Sequence, residues 1–231
     1  MHQPPSCDCL DPQYTSQRWP SLRLHTDRQD TTSPAWKQLL ELVEQVAADG
    51  RTEFKPGSEL GLEQWWTIVE LPRSIGKLKA VSRLDLYGSA LVRIPPEIGE
   101  MTALEEFDVY TSYRLHCFPY ELSRCPNLKR SRVSTRAIYG NYKFRPPFPV
   151  LPQTNVEEVV PANCSICHGK FAPTGPLQRW ISLRVATDVL PLLAHACSDG
   201  CIARLPKGAE GYLQFSHAGG NNVRQPLSRG I

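Results

Sequence analysis

The chain has 231 residues, of which 41% are hydrophobic and 21% charged, a composition ordinary for a soluble protein with a core of its own. Its formal charge of +3 excludes no class of partner, and its apolar stretches are too short for a transmembrane helix. The first residues have neither a basic region nor an apolar run, so we expect no secretory signal and predict a cytoplasmic protein.

Residues 1–32 are polar, contain proline and show no apolar period, so we predict a disordered N-terminal arm. Cys7 and Cys9 lie in this arm together with His2. A metal site there is possible in principle, but two thiols in a flexible tail is the interpretation that we prefer. The sequence leaves the role of the two cysteines open.

A helical cap is predicted over residues 33–59. Ser33 is a favourable N-cap, Pro34 suits the first helical position, and Gly50 favours a left-handed C-cap. An amphipathic helix of this length is not stable alone, so its apolar stripe must cover another element. The stripe consists of Trp36, Leu39, Leu40, Val43 and Val46.

From about residue 60 the chain repeats itself every 23 to 24 residues. The three rows run over residues 71–86, 94–109 and 118–133. Each row has a proline-containing turn followed by a short stretch in which apolar residues alternate. This alternation predicts one short strand a row, and stacked rows form a continuous core.

These rows resemble the leucine-rich repeat family of the short bacterial type, with its L-P-x-x-I-G-x-L and L-x-x-L-x-L segments. The match is good in the first two rows, whereas Ser131 replaces an aliphatic residue in the third. The family's core asparagine is missing, and Ser89, Ser112 and Arg136 lie near that place. The resemblance implies an α/β fold, in which residues 60–152 form a short leucine-rich-repeat solenoid behind the helical cap.

Two close pairs of cysteines predict a small zinc-binding C-terminal module at residues 160–206. The ligands would be Cys164, Cys167, Cys197 and Cys201, spaced C-x2-C and C-x3-C. This spacing resembles the treble-clef and zinc-ribbon group, in which a knuckle, a hairpin and a helix start share one structural Zn2+. Four thiolates would fill the coordination sphere of the Zn2+ and leave no open position for water, so the site would be structural. The alternative is that the four cysteines are buried structural thiols without a metal.

Neighbouring segments complete this prediction. His168 and His195 lie beside the cysteines, where surface or second-layer roles are expected rather than ligation. Residues 179–185 alternate between polar and apolar and predict a hairpin strand. The remaining residues, 207–231, are rich in glycine, asparagine, arginine and serine, and predict a disordered tail.

Catalytic motifs are missing from the sequence. It has no phosphate-binding glycine loop, no nucleophile elbow and no zinc-protease motif. Cys117 follows His116 directly, but neighbours in sequence rarely form a nucleophile and base pair. We therefore predict no enzyme and no small-molecule substrate.

The remaining feature is the outward side of the predicted strands, which is the concave face of a leucine-rich-repeat array. Adjacent tyrosines with charged neighbours have the composition of a binding hot spot, although a merely solvated face is the alternative. We predict a scaffold for protein binding whose partner, pathway and oligomeric state the sequence does not reveal. The predicted partner-binding residues are Arg83, Asp85, Tyr87, Glu106, Asp108, Tyr110, Arg130 and Arg132.

A second hypothesis is RNA or DNA binding through the third row and the zinc module. Residues 118–146 carry seven basic residues against the single acid Glu121. Tyr139, Tyr142 and Phe144 lie among them, a mixture that contacts phosphates and stacks on bases.

Overall fold

A computed structural model describes residues 24–141, 147–151, 160–220 and 222–226. No helix in these ranges is long and apolar enough to cross a membrane. The helices are α1 (Pro34–Asp49), α2 (Pro56–Leu60), α3 (Leu62–Trp65) and α4 (Asp199–Ala203), with 3-10 helices at Arg73–Lys77, Pro96–Glu100, Tyr120–Arg124 and Thr135–Ala137. The strands are β1 (Glu53–Phe54), β2 (Arg83–Asp85), β3 (Glu106–Val109), β4 (Phe118–Pro119), β5 (Arg130–Val133), β6 (Leu177–Val185) and β7 (Asp188–Ala196).

Helix α1 begins and ends as its sequence predicts. The Ser33 hydroxyl accepts a hydrogen bond from the Trp36 N–H at 3.3 Å, which satisfies one of the free donors of the first turn. Gly50 ends the helix with φ of 69°, and its N–H donates to the Val46 carbonyl at 3.1 Å. The buried side of α1 joins the core of the repeats, whereas Leu40 is only half-buried.

The predicted helical cap also contains a strand. Glu53 and Phe54 form β1, which pairs in parallel with β2 and so adds a row to the sheet. Two residues are too few for an alternating pattern to be visible in the sequence, although the Phe54 side chain is fully buried.

The repeats form a parallel sheet in the order β1-β2-β3-β5, as expected for a leucine-rich-repeat-like array. Arg83 lies opposite Glu106, which lies opposite Arg130, so neighbouring rows keep the spacing seen in the sequence. Apolar residues alternate into the core on one side, while the 3-10 helices stack upon one another. The buried residues of the strands include Leu84, Phe107, Val109 and Val133, and Leu86, directly after β2, is buried as well.

Serines occupy the place of the family's asparagine. The Ser89 hydroxyl donates to the Ser112 hydroxyl at 2.8 Å, and Ser112 donates to the Leu86 carbonyl at 3.1 Å. In the third row the equivalent residue is Ser134 rather than Arg136, because the Ser134 hydroxyl accepts from the Thr111 N–H at 2.7 Å. A buried ladder of hydroxyl groups thus binds the backbone between rows.

The end of the array is covered by an antiparallel hairpin, β6 and β7, and β4 pairs in parallel with β7. Ile181, Val185, Leu190 and Leu192 belong to the same hydrophobic cluster as the repeats. The segment 160–206, which the sequence suggested as a separate module, therefore shares the core of the array through its hairpin. The cysteine end has a small hydrophobic cluster of its own.

The C-terminal residues are more ordered than expected. His217 pairs with Trp180 of β6, Leu213 is buried, and the Leu151 N–H donates to the Ala218 carbonyl at 2.9 Å. The prediction of a disordered tail at 207–231 is therefore wrong for this part of it, because Leu213 and His217 find partners on the outer side of the hairpin. Residues 227–231 lie outside the described residues.

The N-terminal arm is also partly ordered. Asp27 forms an ion pair with Arg114 at 2.5 Å, and the Gln29 side chain accepts from the Val69 N–H at 2.8 Å. Arg93, which is almost fully buried, donates to the His25 carbonyl at 2.7 Å. Disorder over 1–32 is thus wrong from residue 24 onward, because these polar side chains bind the edges of the repeats. Residues 1–23, with Cys7 and Cys9, lie outside the described residues.

Candidate metal centre and exposed sheet face

The four predicted cysteines meet at one end of the hairpin. The sulfur atoms of Cys164, Cys167, Cys197 and Cys201 all lie within 4.8 Å of one another. Two of the distances are 3.5 Å, between Cys167 and Cys197, and 3.6 Å, between Cys197 and Cys201. Four sulfurs bound to one Zn2+ at about 2.3 Å in a tetrahedron are about 3.8 Å apart. The cluster therefore has the size of a four-thiolate metal site.

A tight turn presents the first two cysteines. The Cys164 sulfur accepts from the N–H of Ile166 at 3.4 Å and of Cys197 at 3.3 Å, and the Cys167 sulfur accepts from the Gly169 N–H at 3.4 Å. His168 takes a left-handed φ of 61°, which lets the chain reverse. This turn, residues 164–169, is called the knuckle below.

The second pair is held by the end of β7 and the start of α4. Ser198 is the N-cap of α4, and its hydroxyl accepts from the Cys201 N–H at 3.3 Å. Cys197 precedes this cap and Cys201 lies in the first turn, so the C-x3-C spacing directs both sulfurs to the knuckle. The strand, the cap and the helix thus fix the cluster without a long loop.

The surroundings of Cys164 favour a thiolate. Burial acts to raise the pKa of the Cys164 thiol, but backbone N–H groups of Cys167, Ile166 and Cys197 lower that pKa to about 6, from 9.0. A thiolate is the form that binds metal. His195 is not among the clustered ligands: it is buried, lies 3.1 Å from the Gln178 side chain, and burial lowers the pKa of His195 to about 4.

The knuckle is attached to the third repeat. Arg124 donates to the Ser165 carbonyl, and its guanidinium lies 3.8 Å from the Glu121 carboxylate. Burial raises the pKa of Glu121. Ser165 in turn pairs with His195 of β7 in both directions, by N–H to carbonyl at 2.7 Å and by N–H to hydroxyl at 3.0 Å. The cysteine cluster is therefore continuous with the array.

On the exposed sheet face, two tyrosines and an arginine form one group. Tyr87 and Tyr110 are 51% and 41% exposed, and their ring centroids are 6.2 Å apart. The Arg132 guanidinium lies 4.6 Å from the Tyr110 ring centroid and 5.7 Å from that of Tyr87. The three side chains, called the Tyr–Arg group below, are brought together by the register of β2, β3 and β5.

The other predicted face residues form ion pairs, two between neighbouring strands and one within a strand. Glu106 lies 3.4 Å from Arg130, Asp108 lies 3.3 Å from Arg132, and Arg83 lies 3.8 Å from Asp85. The structure thus brings all eight predicted residues onto one surface.

Two of these carboxylates have a role in the fold. Asp85 accepts from the Tyr87 N–H at 3.2 Å, and Asp108 accepts from the Tyr110 N–H at 2.9 Å. These contacts satisfy backbone donors where the strands end. Neither aspartate is therefore free to serve a partner alone.

Each basic residue of the third row has a partner within the protein. Arg124 holds the knuckle, while Lys129, Arg130 and Arg132 are each paired with a carboxylate of the second row. Tyr139 is fully buried and presents no ring to a base. Residues 142–146, with Tyr142 and Phe144, lie outside the described residues. The burial of Tyr139 removes one of the rings that the nucleic-acid hypothesis would use for stacking.

The neighbouring pair His116 and Cys117 is packed into the protein. His116 contacts the Ala137 carbonyl and stacks on His25 with ring centroids 4.9 Å apart. Desolvation raises the pKa of the Cys117 thiol to about 12, so this thiol is not an activated nucleophile.

Sequence reasoning missed the residue that joins the hairpin to the sheet. The Thr187 hydroxyl donates to the Ser131 carbonyl at 2.8 Å, and lies 3.1 Å from the Ser131 N–H. The Ser131 hydroxyl donates to Asp188 at 2.7 Å. A serine at an apolar place in the third row was the signal that this row meets a polar partner.

Neither a scan of protein-family models nor a search of curated proteins finds a match. Among solved structures, a leucine-rich-repeat protein of Leptospira interrogans matches with 24% identity over 31% of this chain. The match covers 21% of that protein, with a TM-score of 0.26, and carries no argument about function. The leucine-rich-repeat-like architecture rests instead on the parallel register and the stacked 3-10 helices of the chain itself.

Proposed function

We propose that this protein is a binding module, not an enzyme, and that it binds another protein through the exposed sheet face. The observation that carries the proposal is the Tyr–Arg group, in which two exposed rings lie side by side under one guanidinium. Tyrosine and arginine are, with tryptophan, the residues most enriched in the energetic centres of protein interfaces.

Packing gives no reason for these rings to be where they are. Leu86 and Val109, their inward neighbours, are buried and hold the core, whereas Tyr87 and Tyr110 point to solvent. Two aromatic rings already held side by side lose little conformational entropy when a partner covers them. The face is therefore suited to protein binding, whichever partner the cell provides.

The test is capture of partners by the double variant Tyr87→Ala/Tyr110→Ala. We expect capture to be lost, because each ring contributes about 2 kcal/mol when buried at an interface centre. Thermal unfolding of the variant should stay close to that of the wild type. Phe215→Ala removes an equally exposed aromatic ring elsewhere and is the matched control. Unchanged capture by the double variant would exclude this face as the site.

We propose further that the cysteine cluster holds a structural Zn2+. Support comes from the donor chemistry, four sulfurs at the right separations, and from N–H groups that favour a thiolate at Cys164. The ion would join the knuckle to α4, a segment with only a small hydrophobic cluster of its own.

Metal analysis tests this second proposal. Purified protein should contain about one Zn2+ a chain, and Cys164→Ser or Cys201→Ser should lose it and expose the knuckle and α4 to hydrogen exchange, while the hairpin, which packs on the repeats, stays protected. Cys125→Ser, at a buried cysteine outside the cluster, is the control that should retain the metal. Full occupancy in both ligand variants would show that these are not the ligands.

A further inference from the structure

We propose that the exposed sheet face binds an acidic protein segment, in extended form, through Arg130 and Arg132. This inference rests on the proposed function and names the chemistry of the partner. It follows from how the charges of the face are layered, from the unused donors of the two arginines, and from their spacing.

On this face, Arg130 and Arg132 are more exposed to solvent than the carboxylates with which they pair. The side chains of Arg130 and Arg132 are 76% and 61% exposed, whereas those of their partners Glu106 and Asp108 are 34% and 15% exposed. The Asp108 carboxylate stays close to the backbone of the sheet because it also accepts a hydrogen bond from the Tyr110 N–H. A molecule that approaches over β5 therefore meets these two guanidinium groups before it meets the carboxylates with which they pair.

Each of these arginines uses a small part of its bonding capacity. Arg130 and Arg132 each approach their carboxylate through the single nitrogen Nη1, at 3.4 and 3.3 Å. In the described part of the chain, neither guanidinium has a second carboxylate or carbonyl partner. A guanidinium offers five N–H donors in a planar fork that matches a carboxylate. Each arginine thus retains donors for a carboxylate of the partner.

The spacing of the two arginines favours an extended segment. They lie two residues apart on β5, so their Cα atoms are about 7 Å apart on one side of the strand. Carboxylates two residues apart on an extended chain have the same separation. Arg132 also lies over the tyrosines, so a side chain between or beside these carboxylates would pack on the rings.

The probe is a fluorescein-labelled heptapeptide that alternates glutamate with tyrosine, measured by anisotropy against the full chain. We expect it to bind at least about tenfold more tightly than the same peptide with glutamine in place of glutamate. Binding should weaken as salt rises, since the contacts are between exposed charges. Arg130→Gln/Arg132→Gln should reduce the affinity about tenfold or more. Arg132→Lys, which keeps the charge without the fork, should give an intermediate loss.

The matched control is Lys37→Gln/Lys207→Gln, which removes the same charge from exposed positions away from the sheet. It should leave the affinity within about twofold. Equal binding of the two peptides, or equal binding by the arginine variant and the wild type, overturns the inference. So does tighter binding of a twelve-nucleotide thymidine strand through the same arginines. If the peptides fail while the tyrosine variant still loses its partners, the proposed function stands and only the acidic partner is wrong.

Discussion

At the scale of single residues, Asp85 at the end of β2 and Leu86 directly after it have different roles. Leu86 is fully buried among the stacked rows, whereas Asp85, one residue earlier, is partly exposed and accepts from the Tyr87 N–H. The two positions therefore test the register of the strand, because a slip of one residue would exchange them.

Leu86→Asp should unfold the repeats, since it places an unpaired charge among aliphatic side chains, at a cost of more than about 4 kcal/mol. Asp85→Ala should cost about 1 kcal/mol, the value of one hydrogen bond to the backbone. Urea denaturation monitored by tryptophan fluorescence measures both. Equal effects of the two substitutions would mean that the register is wrong.

At the scale of elements, the array ends on a protected edge. A parallel strand at the end of a sheet exposes unpaired N–H and C=O groups, which invite pairing with other chains. Here Thr187, in the turn between β6 and β7, bonds both the N–H and the C=O of Ser131 in β5. One threonine side chain thus replaces part of a further strand.

Thr187→Val keeps the shape of the side chain but removes its hydroxyl. We expect the free energy of unfolding to fall by about 1–3 kcal/mol, because backbone groups of Ser131 lose their partner. Hydrogen exchange of the Ser131 amide should accelerate. Thr174→Val, at an exposed threonine outside the strands, should leave both quantities unchanged. A stable, protected β5 in Thr187→Val would show that the turn does not seal the edge.

At the scale of the whole molecule, packed residues connect the N-terminal arm to the C-terminal tail. Four rings contact one another in series: His25, His116, Tyr139 and Trp180. Their successive centroid separations are 4.9, 5.0 and 5.9 Å. Phe148 and His217 continue this line beyond Trp180. The described parts of the arm and of the tail, which contain His25 and His217, therefore both pack on residues that lie between them in the chain.

His217 makes the docking of the tail sensitive to acid. Its Nδ1 accepts from the Gly219 N–H at 3.1 Å, and burial lowers the pKa of His217 to about 4, from 6.5. The folded state thus favours the neutral ring, so its contribution to stability is complete above about pH 6.5 and is lost as pH falls towards 4. The loss is on the order of 3 kcal/mol. His217→Gln should flatten the fall in stability between pH 6.5 and 4, measured by urea denaturation; an unchanged slope would contradict this.

Local patterns in the sequence were sufficient for several features. The cap of α1, the inward alternation of Leu84 and Leu86, and each of the two close cysteine pairs depend on residues close together in the chain, and the rows repeat at a constant spacing. Capping, strand alternation and metal-ligand spacing are local properties, so they can be predicted without knowledge of distant contacts.

Only the tertiary structure decided the remaining features. The polar residues of 24–30 and 207–220 show no period, and their order comes from distant partners such as Arg114 for Asp27 and Trp180 for His217. The sequence likewise could not show that Arg132 lies over two tyrosines from two other rows, or that Thr187 closes the edge at Ser131. Such contacts join residues tens of positions apart, and their geometry is set by the stacking of rows rather than by local preference.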